Sequence, residues 1–167
     1  MSDQQASAFD PAAFLAATTT EVNERRPSIP VDNPDSPDGC YLAVIGEITP
    51  EKTRSGIIGK GDKLGQPWLQ VLVPLKLQLP PAVQALGLSN EFQLTDGVFI
   101  DLTPQGQMDN SKGKNRQQKA YRDATRTNNP GQAWSWMMLA GKNVKVKIQH
   151  EIYNGAPIEK VSAILPA

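Results

Sequence analysis

Cationic and aromatic side chains alternate with aliphatic ones through much of the C-terminal half of this chain. Residues 112–126 hold six lysines and arginines, and Asp123 is the one acid among them. A Trp-Ser-Trp sequence follows, and residues 144–148 alternate lysine with aliphatic residues. Cations neutralise phosphates, and flat rings stack on unpaired bases. The stretch therefore predicts contact with single-stranded nucleic acid, although a solvated charged face is the simpler alternative.

Further aromatic candidates lie on predicted strands. Trp68 and Phe99 each fall on the more polar face of a strand, and Tyr153 falls on a face with lysines. Stacking on such a ring is worth about 1–3 kcal/mol per base, whereas burial in the core is the alternative for each ring. The candidate nucleic-acid-binding residues are Trp68, Lys76, Phe99, Lys112, Lys114, Arg116, Lys119, Tyr121, Arg122, Arg126, Trp134, Trp136, Lys142, Lys145, Lys147 and Tyr153.

The net charge of the whole chain conceals this pattern, because 17 basic and 17 acidic residues cancel. Residues 1–40 hold two arginines and seven acids, a net charge of minus five. Residues 111–167 hold ten basic residues and three acids, a net charge of plus seven. The separation predicts an acidic N-terminal arm joined to a basic module.

Residue sets typical of catalysis or metal binding are not found in the sequence. One histidine and one cysteine, Cys40, are too few for a His- and Cys-rich metal site, and they make a Cys-His nucleophile pair implausible. Asp96, Asp101 and Asp109 lack paired acidic partners, and the glycines of residues 56–65 match no phosphate-binding motif. We expect a non-catalytic protein without a metal or cofactor.

Apolar periodicity predicts the strands of a small β-barrel. Residues 40–48, 68–79 and 91–102 are apolar runs or alternate as strands do, and Pro74 indicates a bulge or an edge position. The Gly- and Lys-rich residues 51–66 between the first two strands are typical of a long mobile loop. A bulge curves a strand, and curved strands favour a small barrel.

The last two strands form the clearest hairpin, since Asn154-Gly155 is a preferred pair for a two-residue turn. The register of such a turn places two pairs opposite each other, Ile148 with Val161 and Val146 with Ala163. Ile158 and Ile164 then fall on the lysine face, which a bulge or a covering element would reconcile. With short helices expected near residues 80–88, 114–125 and 133–140, the predicted class is mainly β, with a five-stranded barrel.

A short helix is expected in the acidic arm. Asp10 is a plausible N-cap with Pro11 at the first helical position, and the helix carries Phe9, Phe14 and Leu15. These apolar side chains are either part of a disordered arm or dock on a neighbouring subunit or a partner.

Four prolines and three aspartates in residues 27–39 favour an extended linker, so the domain is expected to begin near Gly39. This divides the chain into an acidic, Pro-rich arm, 1–38, and a nucleic-acid-binding domain, 39–167. No apolar run approaches the ~20 residues that span a bilayer, and the first residues lack a secretion signal. We expect a cytoplasmic protein that does not contact membranes.

Five segments together resemble a family of small bacteriophage proteins. They are the strand end Ile-Asp-Leu-Thr-Pro-Gln-Gly-Gln-Met-Asp at 100–109, Lys-Gly-Lys-Asn-Arg at 112–116, Arg-Asp-Ala-Thr at 122–125, Asn-Asn-Pro-Gly-Gln-Ala-Trp-Ser-Trp at 128–136 and Leu-Ala-Gly-Lys-Asn-Val-Lys-Val-Lys-Ile at 139–148. The likeness extends over about residues 38–165. Members are commonly encoded among replication and recombination genes, and some are thought to be single-stranded-DNA-binding proteins with the OB fold.

The resemblance implies an OB-fold-like barrel that coats single-stranded DNA during phage replication or recombination in the bacterial host cell. We expect a homo-oligomer whose acidic arm contacts a replication or recombination protein. The alternative is an interaction or structural protein, a virion component or a host-directed inhibitor, that uses the barrel as a scaffold.

Overall fold

The structure is a computed structural model that describes residues 8–167, so residues 1–7 of the predicted arm lie outside the described part. Its helices and strands in chain order are α1 (Pro11–Ala16), β1 (Tyr41–Ile45), β2 (Thr53–Ile57), β3 (Pro67–Gln78), α2 (Pro81–Gln84), β4 (Glu91–Ile100), α3 (Arg116–Ala124), β5 (Asn143–Tyr153) and β6 (Ala156–Pro166). Two short 3-10 helices, Pro50–Lys52 and Trp136–Leu139, precede β2 and β5. The predicted mainly β class with short helices is confirmed.

The six strands form one antiparallel sheet around the long strand β3. β4 pairs with one edge of β3 over ten residue pairs. On the other edge, β1 pairs with the end of β3 through Ala43 and Leu77, and β2 pairs with its start through Gly56 and Trp68. β1 also pairs with β5, which pairs with β6. Within residues 8–167, β4 and β6 do not pair, so the sheet is not closed into a barrel.

The prediction of five strands missed β2, which lies inside the segment expected to be a mobile loop. Its sequence, Thr-Arg-Ser-Gly-Ile, has a single large apolar residue, and none of its side chains is fully buried. The strand is held by its pairing with β3, from Thr53–Val71 to Ile57–Pro67, and its sequence has no buried face. Sequence periodicity reports burial and therefore could not detect it.

Alternation along β3 builds the core, as predicted. Val71, Val73, Leu75 and Leu77 are all buried, while the residues between them point to the opposite face. Burying each such side chain contributes about 1.5–3 kcal/mol relative to leaving it in water.

The β5–β6 hairpin contains a bulge that corrects part of the predicted register. Ile148 pairs with Val161 as expected, but Val146 pairs with Ile164 and not with Ala163, because the register shifts between Lys147 and Ile148. The extra residue turns Ile164 toward the core, where it is buried. The bulge therefore removes the apparent conflict at this position.

The gap between β4 and β6 is bridged on one side by α3. Tyr121 of α3 is buried and donates a hydrogen bond from its hydroxyl to Asp96 Oδ2 of β4 (2.7 Å). The same helix packs against β6. Burial raises the pKa of Tyr121, and the adjacent Asp96 carboxylate raises it further, so the phenol stays a hydrogen-bond donor.

Residues 25–30 bridge the same gap from the other side, and we call them the strap. Ile29 is fully buried, its N–H donates to Glu159 Oε1 of β6 (3.0 Å), and His150 Nε2 lies 2.6 Å from its carbonyl oxygen. Arg26 forms two hydrogen bonds with the Glu159 carboxylate, at 3.0 and 2.6 Å, and its guanidinium lies 4.6 Å from the ring centroid of Phe92 in β4.

The domain boundary predicted near Gly39 is therefore misplaced. The proline-rich composition correctly indicated extended backbone, but composition does not reveal that this backbone packs on the sheet. Tyr41 of β1 secures it further, because its hydroxyl donates to Pro30 O (2.7 Å). The packed unit begins at about Arg25, whose guanidinium donates to Pro157 O.

Replacing Ile29 with alanine should lower the free energy of unfolding by about 2–5 kcal/mol, because the strap would lose its one fully buried aliphatic side chain. Urea denaturation measures the change. Val31→Ala, at an exposed position two residues away, serves as the control and should change stability by less than about 0.5 kcal/mol. Equal effects of the two substitutions would contradict the packing of the strap.

The stabilising effect of Glu159 should depend on pH. Burial raises the pKa of Glu159, but hydrogen bonds from Arg26 and the Ile29 N–H outweigh this and bring it from 4.5 to about 2. A depressed pKa in the folded state means that the carboxylate stabilises the fold fully above pH 4.5 and progressively less as the pH falls toward 2.

The difference in unfolding free energy between the wild type and Glu159→Gln should therefore be largest above pH 4.5 and shrink toward pH 2. Urea titrations of both proteins across this range measure it. Glu151→Gln, which removes a half-exposed ion pair with Lys160, is the control and should have a small effect. A difference for Glu159→Gln that does not vary with pH would contradict the assignment.

Candidate nucleic-acid interface

Trp68 and Phe99 lie together on the outer surface of the sheet formed by β2, β3 and β4. Strand pairing places Gln70 opposite both Arg54 and Phe99, and places Trp68 opposite Gly56. Paired residues of antiparallel strands share a face, and side chains alternate along each strand. Trp68 and Phe99 therefore lie on the same outer face, as the alternation of the sequence indicated.

The two rings form a fixed pair. Their centroids are 6.1 Å apart and their planes are inclined by 60°. The Trp68 indole lies directly over Gly56, where an added Cβ would be 2.7 Å from Nε1. Phe99 is 60% exposed. An aromatic ring with this exposure, held by its neighbours on a rigid sheet, offers a flat surface to a planar ligand.

A cleft of about 410 Å³ adjoins Phe99 at the gap between β4 and β6. Three amide side chains line it, Gln70 of β3, Gln117 of α3 and Gln149 of β5, together with Lys160 of β6. Amides both donate and accept hydrogen bonds, so they can contact base edges beside a stacking ring. The sequence alone did not indicate Lys160 or these glutamines, because the cleft exists only where five separate elements, β3, β4, α3, β5 and β6, meet.

The loop between β2 and β3 adds positive charge that the sequence reading also missed. Arg54 of β2 lies on the outer face, and Lys60 and Lys63 are exposed in the loop. None of the three forms an ion pair within residues 8–167. The sequence indicates this positive charge, because residues 51–66 contain four basic residues and two acids. Their Gly- and Lys-rich composition predicts only a mobile loop.

Most of the basic segment of residues 112–126 forms α3, and its cations do not join the pair of Trp68 and Phe99. Lys119 pairs with Asp123, and the Arg122 guanidinium lies 4.8 Å from the Trp134 ring centroid. Lys112, Lys114, Arg116 and Arg126 are exposed. Gln118, Lys119 and Arg122 line one pocket, whereas Gln117 lines the cleft at Phe99. The structure thus places cations near aromatic rings at two sites, on different flanks of α3.

Trp134 and Trp136 do not divide into one buried and one exposed ring. Both are half-buried, they pack edge to face at 5.4 Å, and both contact the core. Trp134 Nε1 donates to Thr127 Oγ1 (3.0 Å) and Trp136 Nε1 donates to Gln118 Oε1 (3.1 Å). Core packing accounts for both rings.

Tyr121 is the candidate that the structure removes. It is 1% exposed, and its hydroxyl is engaged by Asp96. The prediction that Tyr121 contacts nucleic acid is wrong because the helix turns this residue toward the core and the flanking cations toward solvent.

The remaining candidates are dispersed over the sheet. Lys76 lies eight residues from Trp68 along β3, roughly 26 Å in an extended strand, and it is 3.8 Å from Glu91 Oε2. Lys145 pairs with Asp38 (3.0 Å). Lys142 and Lys147 are exposed, and Tyr153 is 64% exposed at the tip of the β5–β6 hairpin. These residues surround the domain and do not join the aromatic pair.

No protein-family model matches the chain, and a search of curated proteins finds no matching sequence. Among residues 8–167, no helix is long and apolar enough to cross a bilayer. The same residues contain no cluster of three or more His, Cys, Asp or Glu side chains arranged to hold a metal ion.

Replacing Gly56 with alanine should displace the Trp68 indole, since the new Cβ would lie too close to Nε1. The Trp68 indole N–H resonance in a ¹⁵N correlation spectrum should shift, while those of Trp134 and Trp136 should not. Gly59→Ala is the matched control, because no heavy atom lies within 4 Å of a Cβ at that position. An unchanged Trp68 resonance in the Gly56 variant would contradict the described ring position.

Proposed function

We propose that this protein is a non-catalytic single-stranded-DNA-binding protein that acts in phage DNA replication or recombination. The observation that carries the proposal is the contact between the half-buried Trp68 and the exposed Phe99 on an outer sheet face that also carries the unpaired cation Arg54. Neither ring is needed to fill the core, since the outer face lies opposite the buried side of β3. A solvated charged face alone would not account for a fixed aromatic pair.

We further propose that the sheet is a variant of the OB fold. In this interpretation β1 and β2 act as one interrupted first strand, and β3, β4, β5 and β6 follow as the other four, with α3 between β4 and β5. OB folds bind oligonucleotides on the face of their second and third strands and on the adjoining loops. The corresponding region here is the β3–β4 face with the β2–β3 loop, which is where the aromatic pair lies.

Binding would combine stacking with neutralisation of phosphates. Stacking on an aromatic ring contributes about 1–3 kcal/mol per base without regard to sequence. Each phosphate neutralised contributes roughly 0.7 to the slope of log affinity against log salt. Arg54 lies on the same face as the rings, Lys60 and Lys63 lie in the adjoining β2–β3 loop, and Lys160 lines the cleft, where it also pairs with Glu151. These cations can supply the phosphate contacts.

The arm favours a role in assembly. Phe9, Phe14 and Leu15 of α1 and its N-cap region are all exposed, and the two phenylalanine rings contact each other with centroids 5.6 Å apart. We propose that this apolar surface contacts a replication or recombination protein or a second copy of the chain in the host cytoplasm. The same exposure is what an interaction protein or virion component would show, and this remains the alternative function.

Replacing Phe99 with alanine should weaken binding to oligo-dT by about 5- to 150-fold, the equivalent of losing one stacking contact. Fluorescence anisotropy of a labelled oligonucleotide at low salt measures the affinity. Leu86→Ala is the control, because Leu86 is 50% exposed but lies in the β3–β4 connection, at the end of these strands away from Phe99.

The control should retain wild-type affinity. Equal affinity of the Phe99 variant and the wild type would refute the proposed stacking site. If the wild-type protein itself does not bind oligo-dT even at low salt, the scaffold alternative is favoured.

A further inference from the structure

We propose that a polar pocket beside α3 binds a phosphate group. The pocket has a volume of about 170 Å³ and is separate from the cleft at Phe99. The residues that matter for the argument are Ser111, Lys114, Gln118, Lys119, Arg122 and Asn128. The inference rests on the proposed function only for the source of the phosphate, which is either a phosphodiester of the bound strand or free inorganic phosphate.

Arg122 is the central observation. Its Nε atom is buried and has no hydrogen-bond partner within residues 8–167. The guanidinium lies 4.8 Å from the ring centroid of Trp134, and that indole is held in turn by its hydrogen bond to Thr127. The side chain is thus restrained by stacking and not by an acidic partner. No carboxylate within residues 8–167 forms an ion pair with this guanidinium, so its positive charge is free to attract an oxyanion in the pocket.

The charges that line the pocket favour an anion. Lys114, Lys119 and Arg122 supply three positive charges against the single carboxylate of Asp109, a net charge of plus two. Asp123 pairs with Lys119 and offsets part of this excess. Lys114 makes no ion pair among the described residues, so its ammonium is available to a ligand.

The walls of the pocket are held in place before any ligand arrives. Asn115 accepts a hydrogen bond from Asp101 N (2.7 Å) and donates one to Asp109 O (2.9 Å), which ties the loop before α3 to the end of β4. The Asp109 carboxylate accepts a hydrogen bond from Ser111 N (3.0 Å). Its negative charge is therefore directed at the loop's own donors, and little ordering is needed on binding.

A phosphate group fits this set of donors better than a planar carboxylate does. Its oxygens point in several directions, so one group can reach Lys119 and Arg122 on α3 and Lys114 in the loop before it. Arginine is the residue preferred for such contacts because its fork of N–H groups matches phosphate geometry. The small volume favours a single phosphoryl group over a larger polyanion held within the pocket.

Titration of the ¹⁵N-labelled full chain with inorganic phosphate at constant ionic strength tests the site. The Arg122 Nε–H resonance and the amides of Gln118 and Lys119 should shift in a saturable manner. Lys114→Gln should weaken this binding by about tenfold or more, because one charge-assisted contact is lost. Lys112→Gln is the matched control, since Lys112 is exposed but does not line the pocket.

Absence of saturable shifts, or equal affinity of the Lys114 and Lys112 variants, would overturn the proposal. Both substitutions replace exposed side chains, so both variants are expected to fold. A correlation spectrum without phosphate verifies this.

Addition of oligo-dT to the phosphate-loaded protein identifies the source. If oligo-dT displaces phosphate, the Arg122 Nε–H resonance should lose its phosphate-induced shift, and the pocket is then assigned to the DNA backbone. In that case Lys114→Gln should reduce the slope of log affinity for oligo-dT against log salt by about 0.7. Phosphate binding without displacement assigns the pocket to free phosphate.

The two proposals can fail separately. Phe99→Ala should leave phosphate binding unchanged, because Phe99 lies at the other site. Oligo-dT binding without phosphate binding would refute the pocket alone. Phosphate binding without any oligo-dT binding would refute the proposed function alone.

Discussion

The unpaired edges of β4 and β6 are the constraint around which this domain is organised. A strand edge presents backbone donors and acceptors that must be paired, covered or exposed to water. Here α3 covers one part of the gap through Tyr121 and Asp96, and the strap covers another through Arg26, Ile29 and Glu159. The part between them stays open as the cleft beside Phe99. The cleft is therefore a consequence of how the gap is covered.

Charged and polar contacts hold both α3 and the strap over the gap, and each buried polar group in these contacts has a hydrogen-bond partner beside it. Glu159 is nearly buried, with 3% of its side chain exposed, and it is satisfied by Arg26 and the Ile29 N–H. Burial raises the pKa of Asp96, which the Tyr121 hydrogen bond partly opposes. Buried polar groups of this kind stabilise a fold only when every partner is present. These polar contacts also determine which segment packs on which strand. A purely apolar contact would be less specific.

The acidic N-terminal region and the basic module predicted from the sequence are in contact in the folded domain. The acidic N-terminal region is not held apart from the basic module, because Asp38 pairs with Lys145 and Arg26 belongs to the strap. Several cations without acidic partners lie on the outer face of β2, in the β2–β3 loop and in or before α3, and others, such as Lys142 and Lys147, lie elsewhere on the surface. The proposed stacking surface and the proposed phosphate pocket lie on different flanks of α3. A single strand of DNA that reached both would have to pass around this helix.

Local patterns in the sequence determined the elements whose signal is burial or capping. The alternation of β3 and β4, the N-cap at Asp10, the Asn154-Gly155 turn and the outer position of Trp68 and Phe99 all follow from residues near one another in the chain. Such features need only the period of a strand or the chemistry of a turn.

Tertiary structure alone decided the pairing of β2, the bulge opposite Lys147, the burial of Tyr121 and the packing of Ile29. Each of these depends on a partner outside the segment itself, from 10 positions away for Ile57 and Pro67 to 130 positions away for Ile29 and Glu159. Composition describes what a segment prefers by itself, whereas its final environment depends on the surface that the rest of the chain provides. The outer position of Trp68 and of Phe99 could be predicted for this reason, whereas their contact, the cleft and the pocket beside α3 could not.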